Sequence, residues 1–211
     1  MTTATKESVV TPERFKSGMT WNQYLAFINS EENFQRLTPG GSPRGDANVE
    51  RFIRNMSAWQ ISEEGREALQ SLPRLKMLVL GEDWCPDVYR GLPVLAEIAA
   101  TAGWELRIFA RDENSDIMSE FLKDGQHESI PTAVLYTLDH EYIGHWIERP
   151  AVANEHMANM QRLFSRKEGE SEDDMRARIR QGYRDLQSSD EWASWRDETV
   201  TEIAALVRDN T

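Results

Sequence analysis

Hydrophobic positions follow three successive patterns along the chain. From Thr20 they recur at helical spacing: Trp21, Tyr24, Leu25 and Ile28 share a face, and Thr20 can cap it. A second helix is predicted over residues 48–58, with Val49, Phe52, Ile53 and Met56 on one face. A third covers residues 62–72, with Pro73 at its end. Residues 38–43, Thr-Pro-Gly-Gly-Ser-Pro, are turn formers and predict a loop. The first dozen residues are polar and are expected to fray.

The second pattern begins at Leu75. Residues 75–80 form a nearly continuous apolar run between Pro73 and Gly81, as expected of a strand buried on both faces. A long helix follows, with Leu92, Leu95, Ile98 and Ala99 on one face and Gly103 as its stop. Residues 104–110 alternate and predict a strand with Leu106, Ile108 and Ala110 on one side. Strand, helix and strand in so short a span make a right-handed parallel crossover. A short helix over residues 115–123 comes next. An antiparallel hairpin of strands 132–136 and 142–147 and a helix over 151–164 complete the unit.

The third pattern is polar. Residues 165–174 read as a charged linker, Ser171 and Asp174 cap a helix running through Leu186, and a last helix covers residues 190–207. Trp192, Trp195, Val200, Ile203 and Leu206 on it are expected to pack on the main unit, a homodimer interface being the alternative. The organisation expected is an N-terminal helical extension (1–69), an α/β domain (70–165) and a C-terminal helical extension (166–211).

Composition narrows the function classes. A chain of 211 residues, 39% hydrophobic and 28% charged, has enough apolar residues for a globular core. Its net charge of −12 argues against nucleic acid and anionic membranes as partners, because phosphates would be repelled. Apolar runs are too short to span a bilayer, and no secretory signal is recognisable, so a cytoplasmic location is expected. A single cysteine, Cys85, excludes an internal disulfide and any all-cysteine metal cage. Neither metal nor cofactor is expected. The four histidines, His127, His140, His145 and His156, show no ligand spacing, and a cluster shared between two copies of Cys85 has no support beyond the lone thiol.

The candidate chemistry lies at Trp84-Cys85-Pro86-Asp87-Val88. A buried strand delivers Cys85 to the sheet edge, and a helix starts directly after it. Pro86 suits the first turn because it lacks an N–H. The sulfur then faces free amide N–H groups and the positive end of the helix, which favour thiolate, while Glu82, Asp83 and Asp87 oppose it. The expectation is a modestly activated thiol.

The element order, this motif after the first buried strand, and Ser129-Ile130-Pro131-Thr132 before the hairpin together resemble the thioredoxin superfamily. More narrowly, Glu82-Asp83-Trp84-Cys85, the run at 106–112 (Leu-Arg-Ile-Phe-Ala-Arg-Asp) and that at 144–150 (Gly-His-Trp-Ile-Glu-Arg-Pro) look like a bacterial thioredoxin-like family of poorly defined activity. The resemblance implies a thioredoxin-like α/β fold, a central mixed sheet flanked by helices, here with helical extensions at both ends. It also implies a cis-proline at Pro131, and substrate contacts through Trp84, Pro86, Ile130 and Pro131, with the main chain of Ile130 pairing an extended peptide.

The departures from the family pattern set the chemistry. Where dithiol thioredoxins carry the resolving cysteine this chain has Val88, and where they carry a buried carboxylate it has Val79. Ordinary dithiol reduction is therefore not expected. Two functions remain. One is monothiol exchange, with Cys85 as nucleophile, a disulfide-containing protein or a low-molecular-weight thiol as partner, and an external thiol completing the cycle. The other is a catalytically degenerate thioredoxin fold used as a protein-binding module. Asp83, Asp87, His145 and Arg149 are auxiliary candidates. Arg149, in what looks like an exposed turn, either pairs with an acidic neighbour or binds the carboxylate of a thiol ligand. His145 reads first as a satisfied strand residue and second as a proton-transfer group.

Overall fold

A computed structural model describes residues 8–37, 47–187 and 189–211; the predicted loop at 38–43 lies outside them. Among the described residues five helices come first: α1 (Pro12–Ser17), α2 (Trp21–Ile28), α3 (Glu31–Leu37), α4 (Ala47–Ser57) and α5 (Glu63–Gln70). Capping fixes their starts. The Thr11, Thr20 and Ser62 hydroxyls accept hydrogen bonds from the N–H groups of Arg14, Gln23 and Gly65, satisfying donors that a helix start otherwise leaves unpaired. Thr20 and Gln23 form a reciprocal capping box.

Two expectations for this region are corrected. Residues 8–12 are tied down rather than frayed. The Ser8 hydroxyl and Val9 N–H donate to the Glu120 carboxylate at 2.6 and 2.7 Å, Val10 is buried, and α1 already begins at Pro12. The expected α4 face is split: Phe52 is fully buried, whereas Ile53 and Met56 are exposed. Helices α1 and α3 carry too few apolar residues to announce themselves by periodicity.

The sheet contains β1 (Lys76–Gly81), β2 (Glu105–Ala110), β3 (Thr132–Tyr136) and β4 (Tyr142–Ile147), in the order β2-β1-β3-β4. β1 runs parallel to β2 and antiparallel to β3, and β4 is antiparallel to β3. Helix α6 (Pro86–Ala102) makes the parallel crossover and ends at Gly103, whose φ of 68° suits a residue without a side chain. Met77, Leu78, Val79 and Leu80 have no exposed surface, so both faces of β1 are covered. β2 is also buried on both faces at its end. Phe109 packs so closely against Gly18 that a Cβ there would lie 2.4 Å from its ring. The one-sided alternation expected for β2 thus fails because the N-terminal helices cover its second face.

Helix α7 (Ser115–Met118) is shorter than the predicted 115–123. Glu120 and Phe121 already bond three residues back, to Ile117 and Met118. This tightening lets Ile117, Met118 and Phe121 all reach the core. Helices α8 (Ala151–Phe164), α9 (Glu172–Gln187) and α10 (Asp190–Asn210) complete the chain. α10 packs on α5, α6, α8 and β4, burying Trp192, Trp195, Val200 and Ile203. A Cβ on Gly144 of β4 would sit 2.9 Å from Leu206 of α10. The architecture is a mixed four-stranded sheet flanked by helices, with extra helices at both ends, as the sequence implies.

Candidate functional site

Cys85 is the N-cap of α6. Its carbonyl accepts from the N–H groups of Val88 and Tyr89, each at 3.1 Å, and Pro86 opens the helix. Its Sγ–H donates to the Ile130 carbonyl across 3.8 Å. The Ile130–Pro131 peptide bond is cis. Gly91, one turn into α6, leaves room for the Pro131 ring, since a Cβ there would stand 3.3 Å from Pro131 Cγ. Trp84 is an exposed large side chain, with the Arg111 guanidinium 5.7 Å over its ring. Thus Trp84, Cys85, Pro86, Ile130 and Pro131 converge at one end of the sheet. Val88 is fully buried, against Gly81.

Two charged clusters flank the thiol. The first lies before it, where Glu82 and Asp83 are each 1% exposed. Arg36 of α3 grips Glu82 with both Nη atoms, at 3.2 and 2.7 Å, and the Asp112 N–H adds a bond of 2.9 Å. Asn33 donates to Asp83 and accepts from Arg36. Burial pushes the Glu82 carboxyl above its ordinary value, against the pull of Arg36 and the Asp112 N–H. The Tyr24 hydroxyl, buried beside these carboxylates, is pushed well up by burial and then by Asp83 and Glu82.

The second cluster follows the thiol and centres on Arg90, which has no exposed surface. Arg90 lies 3.7 Å from Asp87, donates to the Glu148 carbonyl at 3.2 Å, and stacks over Trp192 and Trp195 at 5.6 and 5.5 Å. Arg149 pairs with Asp87 at 3.4 Å and with Glu148, which also takes Lys123 at 2.5 Å. Glu148 adopts φ of 69°, an uncommon conformation for a residue with a side chain. Its N–H donates to the Pro131 carbonyl at 2.7 Å. Burial raises Asp87 against the pull of Arg90 and Arg149. Burial works against the Glu148 charge too, yet Lys123 and Arg149 hold its carboxyl below the ordinary value. Burial pulls Arg90 down to about 10 despite Asp87.

These surroundings correct the expected thiol. Burial pushes Cys85 up, and Asp87 and Glu148 add to it; the N–H groups of Val88 and Asp87 act the other way without prevailing. The surroundings thus push the thiol up rather than activating it modestly. Asp87, as expected, and Glu148, which was not a candidate, are carboxylates that oppose the thiolate.

The remaining candidates separate. Arg149 is not in an exposed turn: its side chain is 15% exposed and closed into the Asp87–Glu148 cluster. His145 bonds through Nδ1 with the Tyr142 hydroxyl at 2.5 Å and packs on Phe121, apart from the hydrogen-bonded and ion-paired groups around Cys85. Arg36, Arg90, Lys123 and Glu148 escaped notice in the sequence. A hint existed for Arg90, a lone cation three residues after Asp87 inside an otherwise apolar helix stretch. Among the described residues no group of three His, Cys, Asp or Glu side chains is placed to hold a metal ion.

Comparison with known proteins agrees with this geometry. No curated protein matches the chain. A crystal structure of a protein of unknown function from Pseudomonas aeruginosa is similar over 96% of this chain and 100% of its own, with a TM-score of 0.64 and 16% identity. An HIV epitope-scaffold is similar over 97% of this chain and 100% of its own, with a TM-score of 0.58 and 20% identity. The family profile described as thioredoxin matches residues 43–163, more than half of the sequence. With a mixed sheet in the order β2-β1-β3-β4, Cys85 at the start of α6 and Pro131 opposite it, the chain belongs to the thioredoxin family.

Proposed function

We propose that Cys85 carries out monothiol thiol–disulfide exchange. The observation that supports it is the placement of the chain's one thiol at the α6 start, facing the Ile130 carbonyl beside Pro131. Cys85 loses its proton to solvent, and its thiolate attacks one sulfur of a substrate disulfide. A mixed disulfide forms, and the other substrate sulfur leaves as a thiolate. With Val88 in the resolving position, an external low-molecular-weight thiolate must attack the substrate sulfur of the adduct and release Cys85. Substrate, external thiol and Cys85 then balance with no net oxidant. Trp84, Pro86, Ile130 and Pro131 are the contact residues of this reading, Ile130 and Pro131 being buried, Pro86 half-buried and Trp84 exposed, and Asp87 and Arg149 are auxiliary groups. A disulfide-containing protein partner and a cytoplasmic setting belong to the same proposal.

A second reading, a binding module with an idle cysteine, is favoured by the surroundings of the thiol: burial pushes it up, and the nearby Asp87 and Glu148 carboxylates add to that. Intact mass spectrometry of native protein incubated with oxidised glutathione separates the two. A Cys85 adduct that forms below pH 9 and is reversed by reduced glutathione is the expected result. Adduct formation only after unfolding would overturn the exchange reading and leave the binding module.

A further inference from the structure

Arg90 is difficult to explain as a packing residue. It places a guanidinium with no exposed surface on the face of α6 opposite Val88, Leu92 and Leu95, and its Nε and Nη1 have no hydrogen-bond partner. Such burial is costly unless the charge is matched elsewhere. The contacts it does make point in two directions. Toward the thiol site it meets Asp87, two residues from Cys85, and the carbonyl of Glu148, whose own N–H holds the Pro131 carbonyl. Away from that site it lies against Trp192 and Trp195 of α10. Aromatic faces favour a cation at this distance, more so where water is excluded.

We infer that Arg90 is a positioning residue of the Cys85 site, through which the docking of α10 sets the reactivity of the sulfur. Trp192 and Trp195 hold the guanidinium, and the guanidinium fixes the Asp87 carboxylate and the Glu148 turn on either side of Pro131. This rests on the reading of Cys85 as the reacting group. The charged and titratable groups around the sulfur come from several elements. α6 supplies Asp87 and Arg90, the turn after β4 supplies Glu148 and Arg149, and the segment after α7 supplies Lys123. The end of β1 adds Glu82 and Asp83, and α2 adds Tyr24. Arg90 is the cation in this set with its charge wholly out of water, so its effect is little screened.

The test is the alkylation rate of Cys85 by iodoacetamide as a function of pH, with no competing thiol. The midpoint reports electrostatics and the high-pH plateau reports access. Arg90→Met is expected to move the midpoint upward and slow alkylation at pH 7 about tenfold. Arg90→Lys should recover part of it. Asp87→Asn and Glu148→Gln should move the midpoint down and speed the reaction, and neither needs Arg90→Met to fold. Trp192→Leu should shift the midpoint in the direction of Arg90→Met, by less. Midpoints that stay in place for Glu148→Gln and Asp87→Asn, or for a folded Arg90→Met, would overturn the inference. A shift with Arg90→Met and none with Trp192→Leu would overturn the part assigned to α10. Because iodoacetamide needs no disulfide partner, failure of exchange with glutathione leaves these outcomes readable.

Discussion

Cys85 sits between two buried ion clusters that use the same residue types and are closed differently. Before it, Arg36 reaches in from the N-terminal α3 and meets Glu82 with two N–H bonds, while Asn33 accepts a further Arg36 N–H and the Asp112 N–H donates to Glu82. After it, Arg90 has one side-chain hydrogen bond, to a carbonyl, and a looser 3.7 Å approach to Asp87; tryptophan faces cover the rest. In the first cluster hydrogen bonds fix the Glu82 carboxylate, and the cation remains 16% exposed. In the second the cation is sealed in. A forked carboxylate pair fixes geometry well because direction and charge act together. A cation held by aromatic faces is fixed chiefly by packing, so its stability contribution should depend on the tryptophans rather than on the charge.

The largest effect should come from removing that packing. Trp195 has no exposed surface, and Trp195→Ala should cost about 4 kcal/mol, in the range for deleting a buried large aromatic. Denaturant unfolding would show it, and Trp195→Phe should retain over half of the stability. A loss below about 1 kcal/mol would mean that α10 is not what seals Arg90.

On the other side, Arg36→Met should cost about 3 kcal/mol, because it strands the Glu82 carboxylate in a buried place. Burial already raises Glu82, so without Arg36 it should rise further. An acid whose folded pKa exceeds its unfolded value binds its proton more tightly when folded. Stability then falls as pH rises from the unfolded value, about 4.3, through the folded one. The loss in Arg36→Met should therefore be smallest near pH 4 and grow toward pH 7, and Arg36→Met with Glu82→Gln should restore part of it. A pH-independent loss would contradict a stranded carboxylate.

The contrast also explains what the sequence disclosed. Strands β1, β3 and β4 were legible because apolar runs and alternation report burial directly, and α6 because Pro86 and Gly103 mark its ends. The Cys85–Pro131 pairing was implied by the family resemblance. The flanking clusters were not, since Arg36 lies 46 residues from Glu82 and Glu148 lies 58 from Arg90. No local periodicity encodes contacts of that separation. Arg149 illustrates the same limit: Glu-Arg-Pro reads as an exposed turn, yet the fold closes it against Asp87. The thiol was misjudged for a related reason. The helix start that lowers its pKa is visible in the sequence, whereas the burial that raises it is a tertiary property.

That burial can be measured without any substrate. With the folded pKa of Cys85 above the ordinary thiol value of about 8.5, the folded state keeps a proton that the unfolded chain gives up in that window. Stability should fall as pH rises past that value, with a slope of at most about 1.4 kcal/mol per pH unit from this one group. Cys85→Ala should remove that component. Equal slopes in the two proteins between pH 8.5 and 10 would show that the thiol is not raised.

The smallest effect should come from Gly91, where the two sides meet over Pro131. In a helix interior, alanine is favoured over glycine by roughly 0.5–1 kcal/mol. Against that gain, a Cβ at Gly91 would stand 3.3 Å from Pro131 Cγ, so the proline must give by a few tenths of an ångström. Gly91→Ala should therefore change stability by less than about 0.5 kcal/mol. Its effect should appear at the sulfur instead. Pro131 carries the Ile130 carbonyl that accepts from Cys85 and the carbonyl that holds the Glu148 N–H. A shift there moves an acceptor and a carboxylate relative to the thiol together. The expected result is near-unchanged unfolding with a changed Cys85 alkylation profile. Unchanged alkylation together with a clear stability gain would mean that Pro131 is free to move and does not position the thiol.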